Sequence, residues 1–441
     1  MKRVLFVAYL FPPIANSGTQ RPLKFAKYLE NYGWQPTVVT AAGFNGHSID
    51  PTLLAEIPSH IEVVRVPMLN DLIGDRLSSL LGGGAIGHRV GDAVRWRIQA
   101  RYRSPDMFAC WRRTAFRAAL RIYRDSGFDA IYATGFPWTS LLIGRDVAKA
   151  TGRPLIADFR DPWAGDDLWR SHSLEPERVA QLERSVVAQA SAVVTVSPAM
   201  TRMMKAANPE AEQSKFVTIH NGFDPLDVVT PTPKRSDKFR IVFTGVWKDG
   251  YNPSRLYDAL DALLKASPHV LRNTEVMMAG FAPGEAARRG LDSLVSELGR
   301  LSHKDAVALM SSADILFFAT ADGTYQELAL PGKMYEYLAT GRPVIALTHP
   351  DGDAARVLAR VGGAIVIAPE DSERVQNVIS TACVAGRLDV PPHDRDALAA
   401  FERSNLTKRL ASVLDAVTRG AQPPPDSAWL PQQVSAAGRP V

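Results

Sequence analysis

Residues 321–347 read ADGTYQELALPGKMYEYLATGRPVIAL. The apolar run before them ends near Ala319 and has the length of a strand. A polar loop follows, then Pro331-Gly332-Lys333 opens a helix that stops at Gly341, and Pro343 begins the next strand. Strand, loop, helix and strand in that order make the unit from which parallel sheets are wound. Such a helix start is an anion site, because its first N–H groups are unpaired and the dipole is positive there. The amides at 332–334 and the Lys333 ammonium would face a diphosphate. Glu336 lies about one turn further on, where a carboxylate can accept two hydroxyls of a ribose. Glu327 lies nine residues before it, in the loop that would meet the group beyond the diphosphate.

The same alternation extends outward on both sides. The second half carries short apolar runs at Phe239–Thr244, Thr274–Ala279, Ile315–Ala319, Pro343–Leu347 and Ala364–Ile367, with helical patterns between them. The first half carries seven more: Arg3–Tyr9, Thr37–Thr40, Ile61–Val66, Ala130–Ala133, Pro154–Asp158, Ala192–Val196 and Phe216–Ile219. Two series imply two doubly wound α/β domains, each with its sheet covered on both faces. The first spans 1–229, and a charged, proline-containing linker occupies 230–238. The second spans 239–394, and a C-terminal helical segment follows at 395–420. The Pro-rich, aperiodic stretch 421–441 reads as a disordered tail.

Composition narrows the functions. The chain has 441 residues, 46% apolar and 22% charged, which excludes a wholly disordered protein. A net charge of +5 suits anionic ligands or surfaces without calling for nucleic acid, and no recognition motif accompanies it. Two distant cysteines, Cys110 and Cys383, exclude a disulfide framework and a cysteine-rich zinc site. The nine histidines show no metal-ligand spacing, so no metal is expected, and Asp351-Gly352-Asp353 continues into no calcium loop. The opening MKRVLFVAYLFPP reads as a first strand rather than a secretory signal. No apolar run approaches the ~20 residues of a membrane span, so a reducing cytoplasm is the default compartment.

Ligands of open parallel sheets sit beyond the carboxyl ends of the strands. In the first domain, Gly18 and Arg21 lie where a loop enters a helix, and serve equally as an anion site or a proline-stiffened turn. One glycine is too few for a dinucleotide fingerprint. Asp158, Arg160, Asp161 and Trp163 crowd the loop after a strand, which suits hydroxyl recognition and stacking on a sugar face. An Arg–Asp pair that fixes the loop explains them too. Trp138 ends the turn ATGFPW, either beside a ligand or in a tight connection. In the second domain, Thr244 and Gly245 allow close approach, Lys248 can reach a phosphate, and Gly280 either lines a base pocket or turns the chain. Residues 88–124 hold ten arginines among aromatics, either a solvated face or one suited to an anionic membrane.

Taken in order, AYLFPPIANSGTQR (8–21), ATGFPW (133–138), ADFRDPW (157–163), AVVTVSPAM (192–200), TIHNGFD (218–224), RIVFTGVW (240–247), GRLSHKDAVALMSSADILFF (299–318) and PGKMYEYLATGRPVIA (331–346) resemble the family 4 glycosyltransferases. The resemblance covers roughly residues 2–385. It implies the GT-B fold, with two facing Rossmann-like domains and a cleft between them. It also implies metal-independent transfer, with retention, from a nucleotide-diphosphate sugar to an acceptor hydroxyl. ADFRDPW and PGKMYEYL look most like bacterial members that build surface polysaccharides or glycoconjugates on glycan or lipid-linked acceptors. Carried onto this chain, Lys248 and Lys333 would stabilise the leaving diphosphate. Gly18, Thr244, Gly245, Gly280, Gly332, Glu327 and Glu336 would bind the donor. Arg21, Trp138, Arg160, Asp161 and Trp163 would meet the acceptor, with Asp161 orienting it. The family's two glutamates are separated by seven residues, whereas eight separate Glu327 from Glu336. Glu336 matches the second of them. The 395–420 segment would return to the first domain. A membrane-facing member would work at the inner face of the plasma membrane. A nucleotide-sugar epimerase, a phosphorylase, or a silent glycan-binding partner subunit could share this plan.

Overall fold

The computed structural model describes every residue except 44–46, 83, 102–103, 165–174, 229–236, 246–252, 321–326 and 427–441. The chain forms two compact units. Unit 1 is Met1–His220 with Leu406–Val441, and unit 2 is Asn221–Asn405.

Unit 1 holds seven strands: β1 Lys2–Val7, β2 Trp34–Ala41, β3 Glu62–Val66, β4 Ala130–Gly135, β5 Leu155–Phe159, β6 Ala192–Thr195 and β7 Phe216–Thr218. They pair in the order β3-β2-β1-β4-β5-β6-β7, every pair parallel. The chain starts mid-sheet, winds to one edge, and then returns to wind to the other. Alternate residues explain why the strands read as unbroken apolar runs. Leu5 and Val7 pack into a core with Trp111, Ala115 and Leu141, while Val4 and Phe6 pack on the opposite face with Leu23, Phe25 and Leu410. β2 begins at Trp34, three residues before the expected start, and includes Pro36. Its partner β3 joins only from Thr37 onward, so the missing N–H of Pro36 falls outside that ladder.

Unit 2 holds β8 Phe239–Thr244, β9 Thr274–Ala279, β10 Val295–Glu297, β11 Ile315–Ala319, β12 Val344–Leu347 and β13 Ala364–Ile367. Their order, β10-β9-β8-β11-β12-β13, repeats the winding of the first six strands of unit 1. All pairs are again parallel. The two units are doubly wound Rossmann-like domains. In each, the winding reverses beside the first strand, between β1 and β4 and between β8 and β11, the place where such sheets bind ligands.

The elements depart from the expected list in three places. β10 is a three-residue edge strand with only Val295 buried, too short to show a pattern. Helices Leu69–Leu80 and Ala85–Arg101 begin in a stretch for which no element was expected, and the second runs into the basic segment 88–124. The single helix expected at 395–420 is two, Arg395–Ala399 in unit 2 and Arg403–Thr418, most of which lies in unit 1. Between them Phe401 is buried against Tyr335, and the Arg403 N–H donates to the Phe223 carbonyl at 2.8 Å. Leu406, Leu410 and Leu414 then complete one face of the unit 1 sheet. The described start of the expected disordered tail is anchored. Asp426 accepts from the Thr218 N–H at 2.9 Å and its hydroxyl at 2.7 Å, and pairs with Arg409.

Candidate functional site

In unit 2 the polar groups gather where β8, β9 and β11 end. Pro331, in extended conformation, leads into the helix Gly332–Ala339, and no side chain caps its start. The first amides therefore keep the positive end of the helix available. A Cβ built on Gly332 would meet nothing within 4 Å, so the space beside that amide is open. The far side of the helix is fixed. The Thr244 N–H, at the end of β8, donates to the Tyr337 hydroxyl at 2.7 Å, and Tyr337 is buried. Burial pushes the Tyr337 phenol up to about 12, so it remains a neutral strut.

One turn in, Glu336 is the centre of the cluster. Its Oε1 lies 3.2 Å from His303 Nε2, and its Oε2 lies 3.1 Å from Lys333 Nζ. Oε2 is buried, yet accepts no hydrogen bond among the described residues. Burial alone would raise the Glu336 carboxyl. The Lys333 and His303 charges overturn that and hold it far below the usual carboxylate range. Burial likewise opposes the charge on His303, but Glu336 outweighs it and raises the imidazole above its ordinary value. The result is a fixed carboxylate between two cations, with acceptor capacity left on Oε2, which meets Lys333 as an ion pair without a well-aligned hydrogen bond.

The neighbouring glycines have a packing role. Gly280, after β9, has φ +110°, and a Cβ on it would lie 2.1 Å from the Gly245 carbonyl oxygen. The Gly245 N–H donates to Ala279 and the Gly280 N–H to Gly299, so the two strand ends close on each other. Glu327 is exposed, and its carbonyl accepts from the Asp353 N–H at 3.0 Å. Its backbone thus abuts the start of helix Asp353–Val361. Lys248 lies outside the described residues.

Unit 1 treats its strand-end polar groups differently. Asp158, near the end of β5, is fully buried. It accepts from Arg21 Nη2 at 2.8 Å and Nε at 3.0 Å, from the Tyr132 hydroxyl at 2.5 Å and from Thr134 Oγ1 at 2.8 Å. Burial opposes its charge, but Arg21 and these donors hold the carboxyl below its ordinary value. Arg21 also donates to the His220 carbonyl at 2.8 Å. Arg21 is therefore a buried structural cation and not an acceptor contact. Arg160 donates to the Gly135 and Phe136 carbonyls, which ties the loop after β5 to the loop after β4. Gly18 packs against that guanidinium: a Cβ there would lie 2.0 Å from Arg160 Nη1. The Gly18 N–H is already donated to Asn16 Oδ1 at 2.9 Å, so it is no free anion donor.

Trp163, offered as a sugar platform, and Trp138, offered as an acceptor contact, are both buried and stacked on each other, 5.3 Å between centroids and 7° apart in plane. Their faces are taken up. Asp161 remains part-exposed beside Arg160. Of the acceptor-side candidates, it alone combines partial exposure with a carboxylate. Three further polar residues were not among the site candidates offered from sequence. Asp106 accepts from the Thr139 N–H and hydroxyl, which seats the helix starting at Trp138. Glu183, buried and pushed up to about 7 by burial, accepts from the Ala164 N–H at 2.8 Å and holds the end of the Asp161 loop. His303 pairs with Glu336 from 33 positions away, and no local spacing announces it. Among the described residues no group of three or more His, Cys, Asp or Glu is placed to hold a metal ion.

Residues 18–222 match the family model for the glycosyl transferase 4-like domain, and residues 239–383 match that for glycosyl transferases group 1. No curated protein sequence matches the chain. Solved structures share the fold at low identity. A sucrose-phosphate synthase from Thermosynechococcus elongatus superposes with a TM-score of 0.63 at 11% identity, covering 96% of this chain and 100% of that one. An α,α-trehalose-phosphate synthase (UDP-forming) from Burkholderia vietnamiensis gives 0.63 at 12%, with the same coverage. The Anabaena protein HepE, solved with UDP-glucose, gives 0.56 at 17%, covering 95% of this chain and 98% of that one. With both units matched over most of their length, the chain belongs to the family 4-like glycosyltransferases of GT-B fold.

Proposed function

We propose that the enzyme moves a sugar from a nucleotide-diphosphate donor to an acceptor hydroxyl, and that unit 2 holds the donor. The observation that carries this reading is Glu336, a charged carboxylate whose Oε2 is ion-paired to Lys333 without a well-aligned hydrogen bond, one turn from an uncapped helix start. Its remaining acceptor capacity is offered to ribose hydroxyls. The diphosphate lies at the Gly332 and Lys333 amides, where the helix dipole and the Lys333 ammonium offset the charge that grows as the glycosidic bond breaks. His303 keeps Glu336 in place and does not touch the reacting atoms. This arrangement provides for the leaving charge from the chain's own cations, and Lys248 is proposed as a second one. The neighbour solved with UDP-glucose supports a nucleotide-sugar donor.

On the acceptor side, Asp161 orients a hydroxyl, Arg160 positions its loop, and Glu327 meets the transferred sugar. Transfer with retention, a glycan or lipid-linked acceptor, and a place in the building of bacterial surface polysaccharide or glycoconjugates complete the reading. The basic face at 88–124 brings the enzyme to the inner face of an anionic membrane. No helix among the described residues is long and apolar enough to cross a bilayer. Two UDP-N-acetylglucosamine 2-epimerases share the fold at TM-scores of 0.54 and 0.52. Product analysis with labelled donor separates the activities: transfer yields a glycosylated acceptor, epimerisation an isomeric free sugar. Calorimetric titration with nucleoside diphosphates tests the donor site directly. Binding by wild type and its loss in Glu336→Ala is the expected result, and equal affinity in both removes the assignment.

A further inference from the structure

Residues 69–101 take no part in the strand-end clusters. They form two helices, Leu69–Leu80 and Ala85–Arg101, packed backbone against backbone. A Cβ on Gly74 would lie 2.9 Å from the Gly91 carbonyl oxygen, one on Gly91 2.7 Å from that of Gly74, and one on Gly87 2.7 Å from that of Ser78. Arg95 bridges Asp75 and Asp92 across the seam. The buried residues of the pair are Asn70, Gly74, Ser78, Gly87 and Gly91, all small or polar.

Leu69 and Ile98, at the base, pack against the unit 1 core, but the large apolar side chains toward the tip and Trp96 face outward. Leu80 is 81% exposed, Ile86 77%, Trp96 65% and Leu81 52%. A hairpin made for water buries its leucines, whereas small residues inside and apolar residues outside is the arrangement of helices that meet lipid. The stretch 77–88 contains no Asp, Glu, Lys or Arg, and the first charges on either side are Arg76 and Arg89. At the base of the hairpin, the Leu69 N–H donates to the Cys110 carbonyl at 3.1 Å. The helix that begins there, Trp111–Asp125, exposes Arg113, Arg117, Arg121 and Arg124 on the face opposite buried Trp111, Ala115, Ala119 and Ile122.

We infer that the hairpin tip, residues 77–82 and 84–88, seats in the headgroup–acyl boundary of a bilayer containing anionic lipid. Leu80, Leu81 and Ile86 enter the acyl edge, Trp96 lies along the interface, and the flanking arginines meet lipid phosphates. The excess of arginine over acidic residues beside the tip and on helix Trp111–Asp125 favours this occupant over a second copy of the chain. The inference rests on the peripheral-membrane part of the function proposed above and adds the inserting element.

The test is co-sedimentation with vesicles of phosphatidylcholine alone and of phosphatidylcholine with about a third phosphatidylglycerol, at low and high salt. Two variants are compared with wild type: Leu80→Ser with Leu81→Ser and Ile86→Ser, and Arg113→Ser with Arg117→Ser, Arg121→Ser and Arg124→Ser. All substituted side chains are exposed, and thermal melting checks that each variant folds. Wild type is expected to pellet with the anionic vesicles only. The tip variant should lose at least about tenfold in affinity at either salt, and the arginine variant should lose the salt dependence. Wild-type binding by the tip variant overturns the insertion while leaving an electrostatic membrane contact. No wild-type binding at low salt overturns both, and the donor titration is unaffected. A dimer in sedimentation velocity that the tip variant dissociates, without vesicle binding, assigns the tip to self-association and also overturns the inference.

Discussion

At the end of β5, Asp158 is sealed from solvent and every direction around its carboxylate is filled by Arg21, Tyr132 and Thr134. In the helix after β11, Glu336 is also flanked by cations, yet its side chain is 20% exposed and its Oε2 meets only the Lys333 ammonium, without a well-aligned hydrogen bond. The sheets share one winding, and both carboxylates are held below their ordinary range. A depressed carboxyl therefore does not mark a ligand site. A saturated one organises loops, and the proposed donor site uses one with acceptor capacity left.

Substitutions test that distinction. The largest effect is expected for Asp158→Ala, which leaves Arg21 charged and uncompensated in the core. A loss of about 3–5 kcal/mol of unit 1 stability should appear in urea unfolding. A stable variant that lost only activity would make Asp158 a ligand contact and erase the contrast. Glu336→Ala should behave in the opposite way. It should fold normally and lose about 1.5–3 kcal/mol of nucleoside-diphosphate affinity, read by calorimetry.

A smaller effect belongs to His303→Gln, worth about 0.5–1 kcal/mol in melting experiments. Its pH dependence has a definite sign. The Glu336 carboxyl is depressed, so its contribution is present above the ordinary value of 4.5 and lost only in strong acid. The His303 imidazole is raised, so its contribution is full below 6.5 and fades as pH rises through its folded-state value. The advantage of wild type over His303→Gln should be greatest between 4.5 and 6.5 and shrink above. A difference that grows with alkalinity would mean that the imidazole acts neutral. The smallest effect is expected from chelation. If Lys333 and the helix start carry the leaving charge, a chelator should leave initial rates unchanged, and a steep loss restored by one divalent ion would overturn that account.

How much could be read beforehand follows from the range of each interaction. β8, β9 and β11 start and stop where their apolar runs do, because strands buried on both faces need apolar residues at consecutive positions. Glu336 was legible because its offset from Pro331-Gly332-Lys333 is local helix geometry. Its partner His303 was not, since the pairing is made by tertiary packing. Trp138 and Trp163 show the same limit. An indole after a strand looks alike in sequence whether it faces a sugar or another indole, and here the two stack. The glycines at 74, 87 and 91 gave no helical signal, because a helix that packs through small residues lacks the usual apolar stripe.

The placement of helix Arg403–Thr418 bears on how the protein is made. A ribosome completes 221–405 as one unbroken run, so the second unit has all its residues while the first is still waiting for its last helix. Until Leu406, Leu410 and Leu414 emerge, Phe6, Phe25 and Val38 lack their cover. The half synthesised first is thus the half finished last. A fragment ending at His220 would carry a sticky, unfinished surface, whereas the later half contains every residue of its own core.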